Sequence, residues 1–343
     1  MAKFNVKAAL VFNKAQSVEG TPVTPLGTDV VPLADFSYED VFVTEEVVYI
    51  GNELGRDSET VSKDRYAKYS GTAFMPVRGS SVALATIADF KMAPLFQACG
   101  ANCALTGTLV SDQVITVTNS IPTTTLLTGQ IRFSTADIAT QKTFQVYDSR
   151  GTVDLSMEIF NKSKLKFNMM GNYTQATQET AITVNYGTQK SLAAQVLLPT
   201  NIICSELTGL IGGFTHTGIS GTVKNLCFSK LDAPNLFGFT LERFGTSCQI
   251  GFTKDADPSD VTLTILEDAA IPLGSESATA YDPDNHINDF HKFSLKYGTA
   301  QGKWVSIYFD NLQLVSTSQT TISKFRGRDL KFRNIGNVTL TFA

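Results

Sequence analysis

Histidine is scarce in this chain of 343 residues: there are three, a small supply for acid–base work. His216 sits in a Gly-Phe-Thr-His-Thr-Gly turn. His286 and His291 are five apart in a loop, so they do not share a helical face at i, i+4. All three read as surface or packing residues rather than ligands. Tryptophan occurs once, at Trp304 beside Val305, Ile307 and Tyr308. One strand-borne indole is a core residue and not the aromatic platform of a carbohydrate-binding module. No apolar run approaches the ~18 residues of a transmembrane helix. The segment Met1–Lys7 has no uninterrupted apolar core, so it does not read as a signal peptide.

Charge is also sparse. Charged residues make up 17% of the chain, and 28 basic against 32 acidic groups give −4. The balance is evenly spread: residues 1–176 carry 15 basic and 17 acidic groups and residues 177–343 carry 13 and 15, so each half is −2. Sequence-specific DNA binding requires a basic face, which this balance argues against. The five cysteines (Cys99, Cys103, Cys204, Cys227 and Cys248) are odd in number and lack the paired close spacing of a zinc site. They read as reduced, buried small residues of a protein made in a cytoplasm.

Catalytic motifs fail on inspection. Asp282-Pro283-Asp284-Asn285 opens like a calcium loop, but Ile287 stands where glycine must turn the chain and Phe293 where a bidentate Glu must close the cage. Gly298 to Lys303 is one residue short of a phosphate loop, with Trp304 in place of the magnesium-binding hydroxyl. No Gly-x-Ser-x-Gly elbow occurs. The reading is a non-enzyme with no cofactor and no metal.

What the chain does have is alternation of period two, which places one face on a core and the other in solvent or against a partner. Val153, Leu155, Met157 and Ile159 alternate with polar residues. After a turn at Asn161–Ser163, Leu165, Phe167 and Met169 alternate with Lys166 and Asn168. Strands are expected at Phe4–Phe12, Val41–Ile50, Thr72–Val77, Gln113–Val117, Gln130–Phe133, Thr143–Tyr147 and Val153–Met169. In the second half they are expected at Val223–Phe228, Phe237–Phe244, Gln249–Phe252, Val261–Ile265, Trp304–Phe309, Leu312–Val315, Leu330–Phe332 and Val338–Phe342. One helix is expected at Ser81–Gly100, with Pro94 breaking it or starting a second short helix and Gly100 stopping it. A weaker helix is expected at Ile287–Leu295. A Gln/Thr-rich stretch, Thr174–Asn185, marks a boundary between two all-β units, 1–176 and 177–343.

Two charged features are candidate contact sites. Gly51–Ser70 reads as a long loop of mixed charge, with Glu53, Arg56, Asp57, Glu59, Lys63, Asp64, Arg65 and Lys68. It is either a solvated flap or an arm reaching a neighbouring subunit. Asp29–Glu46 is acidic with no basic residue (Asp35, Glu39, Asp40, Glu45 and Glu46). Near the C-terminus lies the one basic concentration, Lys324, Arg326, Arg328, Lys331 and Arg333. Unlike patches on one chain suit head-to-tail association.

Taken in order, the chain resembles the tail tube (major tail) proteins of long-tailed bacteriophages. Three segments carry the resemblance. One is the charged stretch Val47–Val77 ahead of a helix ending Ala93-Pro94-Leu95-Phe96-Gln97-Ala98-Cys99-Gly100-Ala101, similar to the family's "P-L-hydrophobic-x-A-x-G" helix end. Another is Arg150–Leu155 followed by Lys164–Tyr173, similar to a "G-x-hydrophobic" strand and a strand ending G-x-Tyr. The third is Lys303-Trp304-Val305 through Leu330–Phe342, like the closing strands of a second copy. The resemblance implies a mostly β fold of two tandem β-sandwich or half-barrel modules, each with hairpins that build a barrel between subunits. It implies a virion tail protein, with rings stacked into a conduit through which genomic double-stranded DNA passes without sequence-specific binding. Its partners would be itself (three chains in a pseudo-sixfold ring, or six), the tape measure protein and other tail proteins, with no membrane insertion. Alternatives are a distal tail or tail-terminator protein, and a carbohydrate-binding adhesin of two β-sandwiches.

Overall fold

The alternating segments fold into long antiparallel strands. The computed structural model describes residues 9–31, 33–50, 56–74, 83–109, 112–119, 126–133, 140–158, 163–180, 210–216, 222–223, 228–238, 240–243, 250–253, 259–266, 282–297, 304–322 and 325–343. In chain order the first strands are β1 (Ala9–Gln16), β2 (Val30–Val31), β3 (Ala34–Ile50) and β4 (Arg56–Phe74). A 3-10 turn (Ile87–Asp89) and helix α1 (Ala93–Ala98) follow, then β5 (Asn102–Thr106), β6 (Val114–Thr118), β7 (Leu126–Phe133), β8 (Thr140–Glu158) and β9 (Lys164–Thr180). The later strands are β10 (Leu210–His216), β11 (Thr222–Val223), β12 (Phe228–Gly238), β13 (Thr240–Arg243), β14 (Ile250–Thr253) and β15 (Asp260–Leu266). A second 3-10 turn (Pro283–His286) precedes β16 (Phe290–Tyr297), β17 (Val305–Ile322), β18 (Phe325–Asn334) and β19 (Val338–Phe342). The protein is mostly β.

One succession of pairings occurs twice. In residues 9–180, β2 pairs with β1, β1 with β7, β7 with β8, β8 with β9, β9 with β4 and β4 with β3, all antiparallel. In residues 210–342, β11 pairs with β10, β10 with β16, β16 with β17, β17 with β18, β18 with β15 and β15 with β12, again antiparallel. The strands β18 and β19 together stand where β9 stands, because β18 follows the later part of β17 and β19 the earlier part. The two series join where β8 pairs with β12. The result is a run of long strands in the order β3-β4-β9-β8-β12-β15-β18-β17.

Side-chain parity explains which way this run faces. Ala67, Tyr69, Leu165, Phe167, Met169, Val153, Leu155, Leu231, Leu263, Leu330 and Phe332 turn inward and are buried. They belong to one continuous hydrophobic core that draws on both halves of the chain. Removing that apolar area from water is the main drive for the arrangement. Phe96 of α1 lies at its centre, fully buried, with ring centroids 5.5 Å from Phe167, 6.2 Å from Phe237 and 6.1 Å from Phe342. A bulge in β8 is pinned by Asp148, which is buried with φ +50. Its carboxylate accepts from the Gly20 N–H at 3.0 Å, from Asn172 Nδ2 at 3.0 Å and from Gln16 Nε2. These bonds, from residues 24 to 132 positions away in sequence, hold Asp148 in the left-handed backbone that Asp adopts more readily than most residues.

Several expected elements change. The loop expected at Gly51–Ser70 is strand from Arg56 onward, paired residue for residue with β3. Its sequence from Arg56 to Arg65 is polar but for Val61, so the apolar alternation that marks a strand is missing. The long helix expected at Ser81–Gly100 shrinks to six residues. Pro94 sits in its first turn, and Gly100 ends it at φ +77, with the Ala101 N–H donating to the Phe96 carbonyl at 3.0 Å. From Phe290 onward the weak helix expected at Ile287–Leu295 is the strand β16, in which buried His291, Phe293 and Leu295 alternate with exposed Lys292 and Ser294. The separate strands expected around Thr143 and Val153 are one strand, β8, carried through its bulge. The division placed at residue 176 falls inside β9, and residues 181–209 lie outside the described residues.

Candidate assembly surface

The outward face of the eight-strand run is built from the polar positions of the same alternation. Opposite charges stand across from each other strand by strand: Glu39 opposite Lys68, Lys166 opposite Asp154, Lys230 opposite Glu158, and Asp260 opposite Arg333. Such pairs contribute about 0.2–1 kcal/mol each to strand pairing. Hydroxyl and amide groups fill the gaps. Ser37 and Ser70 hydroxyls meet at 2.8 Å, Asn168 Nδ2 donates to Asp154 Oδ2 at 3.1 Å, and Ser156 Oγ donates to Asp232 Oδ1 at 2.6 Å. Lys230 also pairs with Asp232, and that bond raises the lysine pKa. The face carries charge of both signs and no dominant one, and a shallow cleft of about 340 Å³ between Ser37, Glu39, Lys68, Ser70, Thr152 and Asn168 holds no nucleophile–base pair.

The acidic strand and the charged segment are two arms of one hairpin. Asp40 on β3 takes the Arg65 guanidinium of β4 in a forked pair, Nε to Oδ1 at 3.1 Å and Nη2 to Oδ2 at 2.5 Å. The same guanidinium lies 4.3 Å from the Phe42 ring centre and 3.7 Å from that of Tyr173. The bond to Asp40 raises the Arg65 pKa, and burial followed by the Asp40 charge raises that of Tyr38. Lys68 lies over Tyr66 at 5.6 Å. Arg56, Asp57, Glu59 and Asp64 stand opposite Ile50, Tyr49, Val47 and Val43, while Lys63 is the extra residue at a bulge. Glu46 is exposed, Asp35 is exposed, and Glu45 lies on β3 opposite Val61. Glu53 lies outside the described residues.

The basic cluster divides. Arg326, Lys331 and Arg333 are exposed on β18, whereas Arg328 is buried at 3%. Lys324 lies outside the described residues. Arg328 is therefore not part of a surface patch: it turns inward because its guanidinium bonds Asp284 at 2.7 Å, with Asp282 at 4.0 Å. This ties the 3-10 turn Pro283–His286 to the β17–β18 hairpin. Hydrogen bonds from Thr317 Oγ1 (2.5 Å) and from Arg328 hold the Asp284 carboxyl below the ordinary aspartate range. A depressed carboxyl stabilises the fold above its unfolded pKa of about 4 and loses that contribution as pH falls through the folded value. The Asp284→Asn protein is accordingly expected to melt lower than the parent at pH 7, by a margin that narrows as the pH falls below the ordinary aspartate range. A margin independent of pH in thermal melts would refute this. The effect is modest, since the Asp284 side chain is half exposed.

The remaining sequence candidates are structural. His286 and His291 are buried, the former with Nδ1 3.0 Å from Asp289 Oδ2 and the latter packed 5.5 Å from the Phe332 ring. Cys99 and Cys103 are buried free thiols; burial pushes both up, Cys103 to about 12, which makes them poor nucleophiles. The other three cysteines and Gly298–Lys303 lie outside the described residues, as does the side chain of His216. Among the described residues there is no cluster of three or more metal-ligating side chains, and no helix is long and apolar enough to cross a membrane.

Sequence reading missed one part of this surface. It ended a strand at Val315, but β17 continues through Ser316–Ile322. The seven residues Ser-Thr-Ser-Gln-Thr-Thr-Ile hold no apolar alternation, and their only strand signal is threonine content. No family model matches the chain, and no curated protein matches it.

Proposed function

We propose that the chain is a structural subunit that assembles into rings stacked as the tail tube of a long-tailed bacteriophage, the passage for genomic DNA into the host. The observation that carries this reading is the recurrence of one strand-pairing order in residues 9–180 and 210–342, with the two series fused edge to edge. Two tandem modules of this kind supply hairpins to a barrel closed between subunits, and three chains give a ring of six modules. The outward face favours the same reading: its charges cancel across neighbouring strands, so a passing duplex meets no excess of cations to hold its phosphates. The protein is then made in the host cytoplasm and found in the virion tail, with the tape measure protein inside the tube. It has no enzymatic role in this reading.

Negative-stain micrographs of the purified chain test the proposal. Rings or tubes with a central hole are the expected result. Persistent monomers at high concentration, or monomers that bind glycans, would overturn it in favour of the two-sandwich adhesin.

A further inference from the structure

The junction of β8 with β12 is a template for a contact that the described residues of the single chain do not make. There Lys230, Leu231, Asp232 and Ala233 stand opposite Glu158, Met157, Ser156 and Leu155. The strand β3 stands to β4 and β9 as β12 stands to β15 and β18. Likewise β17 stands to β18 as β8 stands to β9. Yet among the described residues no strand pairs with the second side of β3, nor with the second side of Ser316–Ile322. A strand of seventeen residues whose second side no described strand pairs is a strong template for another chain.

The internal correspondence also fixes the register. Lys68 and Arg150 both stand opposite Met170; Thr262 and Ser316 both stand opposite Lys331. Arg150 and Ser316 are each the first residue paired after a bulge. Glu39, opposite Lys68, thus corresponds to Asp232, opposite Thr262. Six residues beyond Arg150 and Ser316, Ser156 corresponds to Ile322, and Leu155 to Thr321.

We infer that the free edge of β3 pairs antiparallel with the free edge of β17 in a second copy of this chain, Glu39 opposite Ile322 and Asp40 opposite Thr321. The occupant is a second copy because the two edges match in direction and register and lie at opposite ends of one eight-strand run. A chain pairing with itself could not bring them together without closing that run on its own core. Charge agrees: Arg326 stands opposite Thr321 on the far side of β17 and is exposed, which sets it two strands from Asp40 on the same face. Each added copy extends the sheet by eight strands, and only ring closure removes the last pair of edges. The inference rests on the reading that the chain assembles with itself.

Paired cysteines test it, since opposed residues on neighbouring strands have Cα atoms at disulfide distance. The Glu39→Cys/Ile322→Cys protein, oxidised under assembly conditions, is expected to give a ladder of covalent multimers on a non-reducing gel. The single variants should give none above the background of native thiols. The Glu39→Cys/Ser318→Cys protein, four residues out of register, should cross-link at least tenfold less. Asp40→Cys/Thr321→Cys serves as a second pair should the first fail to fold, and must behave alike. Rings seen by microscopy without cross-links in either matched pair, or with equal cross-linking out of register, overturn the edge assignment and leave the tube reading standing. Protein that stays monomeric in every case, the unsubstituted chain included, overturns both.

Discussion

Replacing Phe96 with alanine is expected to destabilise the protein by about 3–5 kcal/mol, the range for emptying a fully buried phenylalanine site. The site is unable to collapse easily. Phe96 packs edge-on to Phe167 and Phe237 and tilted to Phe342, and those three rings come from β9, β12 and β19, strands whose hydrogen bonding fixes their spacing. Edge-to-face geometry adds to the loss beyond area alone. Since whole domains are stable by about 5–15 kcal/mol, this one substitution removes a large share. It also removes it from both halves of the chain, because Phe167 belongs to the first series of strands and Phe237 and Phe342 to the second. The single tryptophan makes that testable. Trp304 exchanges backbone hydrogen bonds with Ala343 at 2.8 and 2.9 Å, at the base of β17 and next to Phe342. Urea unfolding followed by Trp304 fluorescence should move to lower concentration along with the circular dichroism transition. A fluorescence transition left in place would show that the second half does not depend on Phe96.

A single methyl group at Gly151 should cost about as much as a lost core side chain. Gly151 lies opposite Met169 on β9, and a Cβ built there would sit 1.9 Å from the Asn168 carbonyl oxygen and 2.8 Å from Met169 Sδ. The nearer atom is backbone, so no rotamer change relieves the clash; the strands must separate. Overpacking of this kind costs about 1–3 kcal/mol and more when backbone must move, and the upper part of that range is expected for Gly151→Ala. Because β8 is paired on its other side with β12 through Val153 and Thr152, a shift at residue 151 also disturbs the junction of the two series. A loss under about 0.5 kcal/mol in chemical denaturation, against typical surface substitutions of that size, would show that the close approach is not maintained in solution.

How far the sequence led can be judged element by element. Where apolar and polar residues alternated, strands formed at the expected places: Leu165, Phe167 and Met169 turn into the core and Lys166 and Asn168 away from it. The proline-started, glycine-stopped helix end was equally legible, since Pro94 and Gly100 act through local backbone geometry. The failures share one cause. The Arg56–Tyr66 part of β4 and the Ser316–Ile322 part of β17 have almost wholly polar sequences, so hydrophobic period carried no signal there. What makes them strands is a paired neighbour, β3 or β18, supplying backbone hydrogen bonds. Arg328 failed differently. Arg326 and Lys331 lie two and three residues from it in sequence, while its partner, Asp284, is 44 residues away, and only the folded hairpin brings the two together.

By itself, then, the order of residues determined a mostly β protein, the inward and outward parity of its core strands, and the end of helix α1, because those follow from side-chain period and from proline and glycine stereochemistry over a few residues. The tertiary structure alone decided which strands pair within each half, that β8 and β12 join the two series, and that among the described residues no strand pairs with the second side of β3 or of the end of β17. Strand partnership is set by hydrogen bonds between segments tens to hundreds of residues apart, and no local pattern encodes which edge meets which.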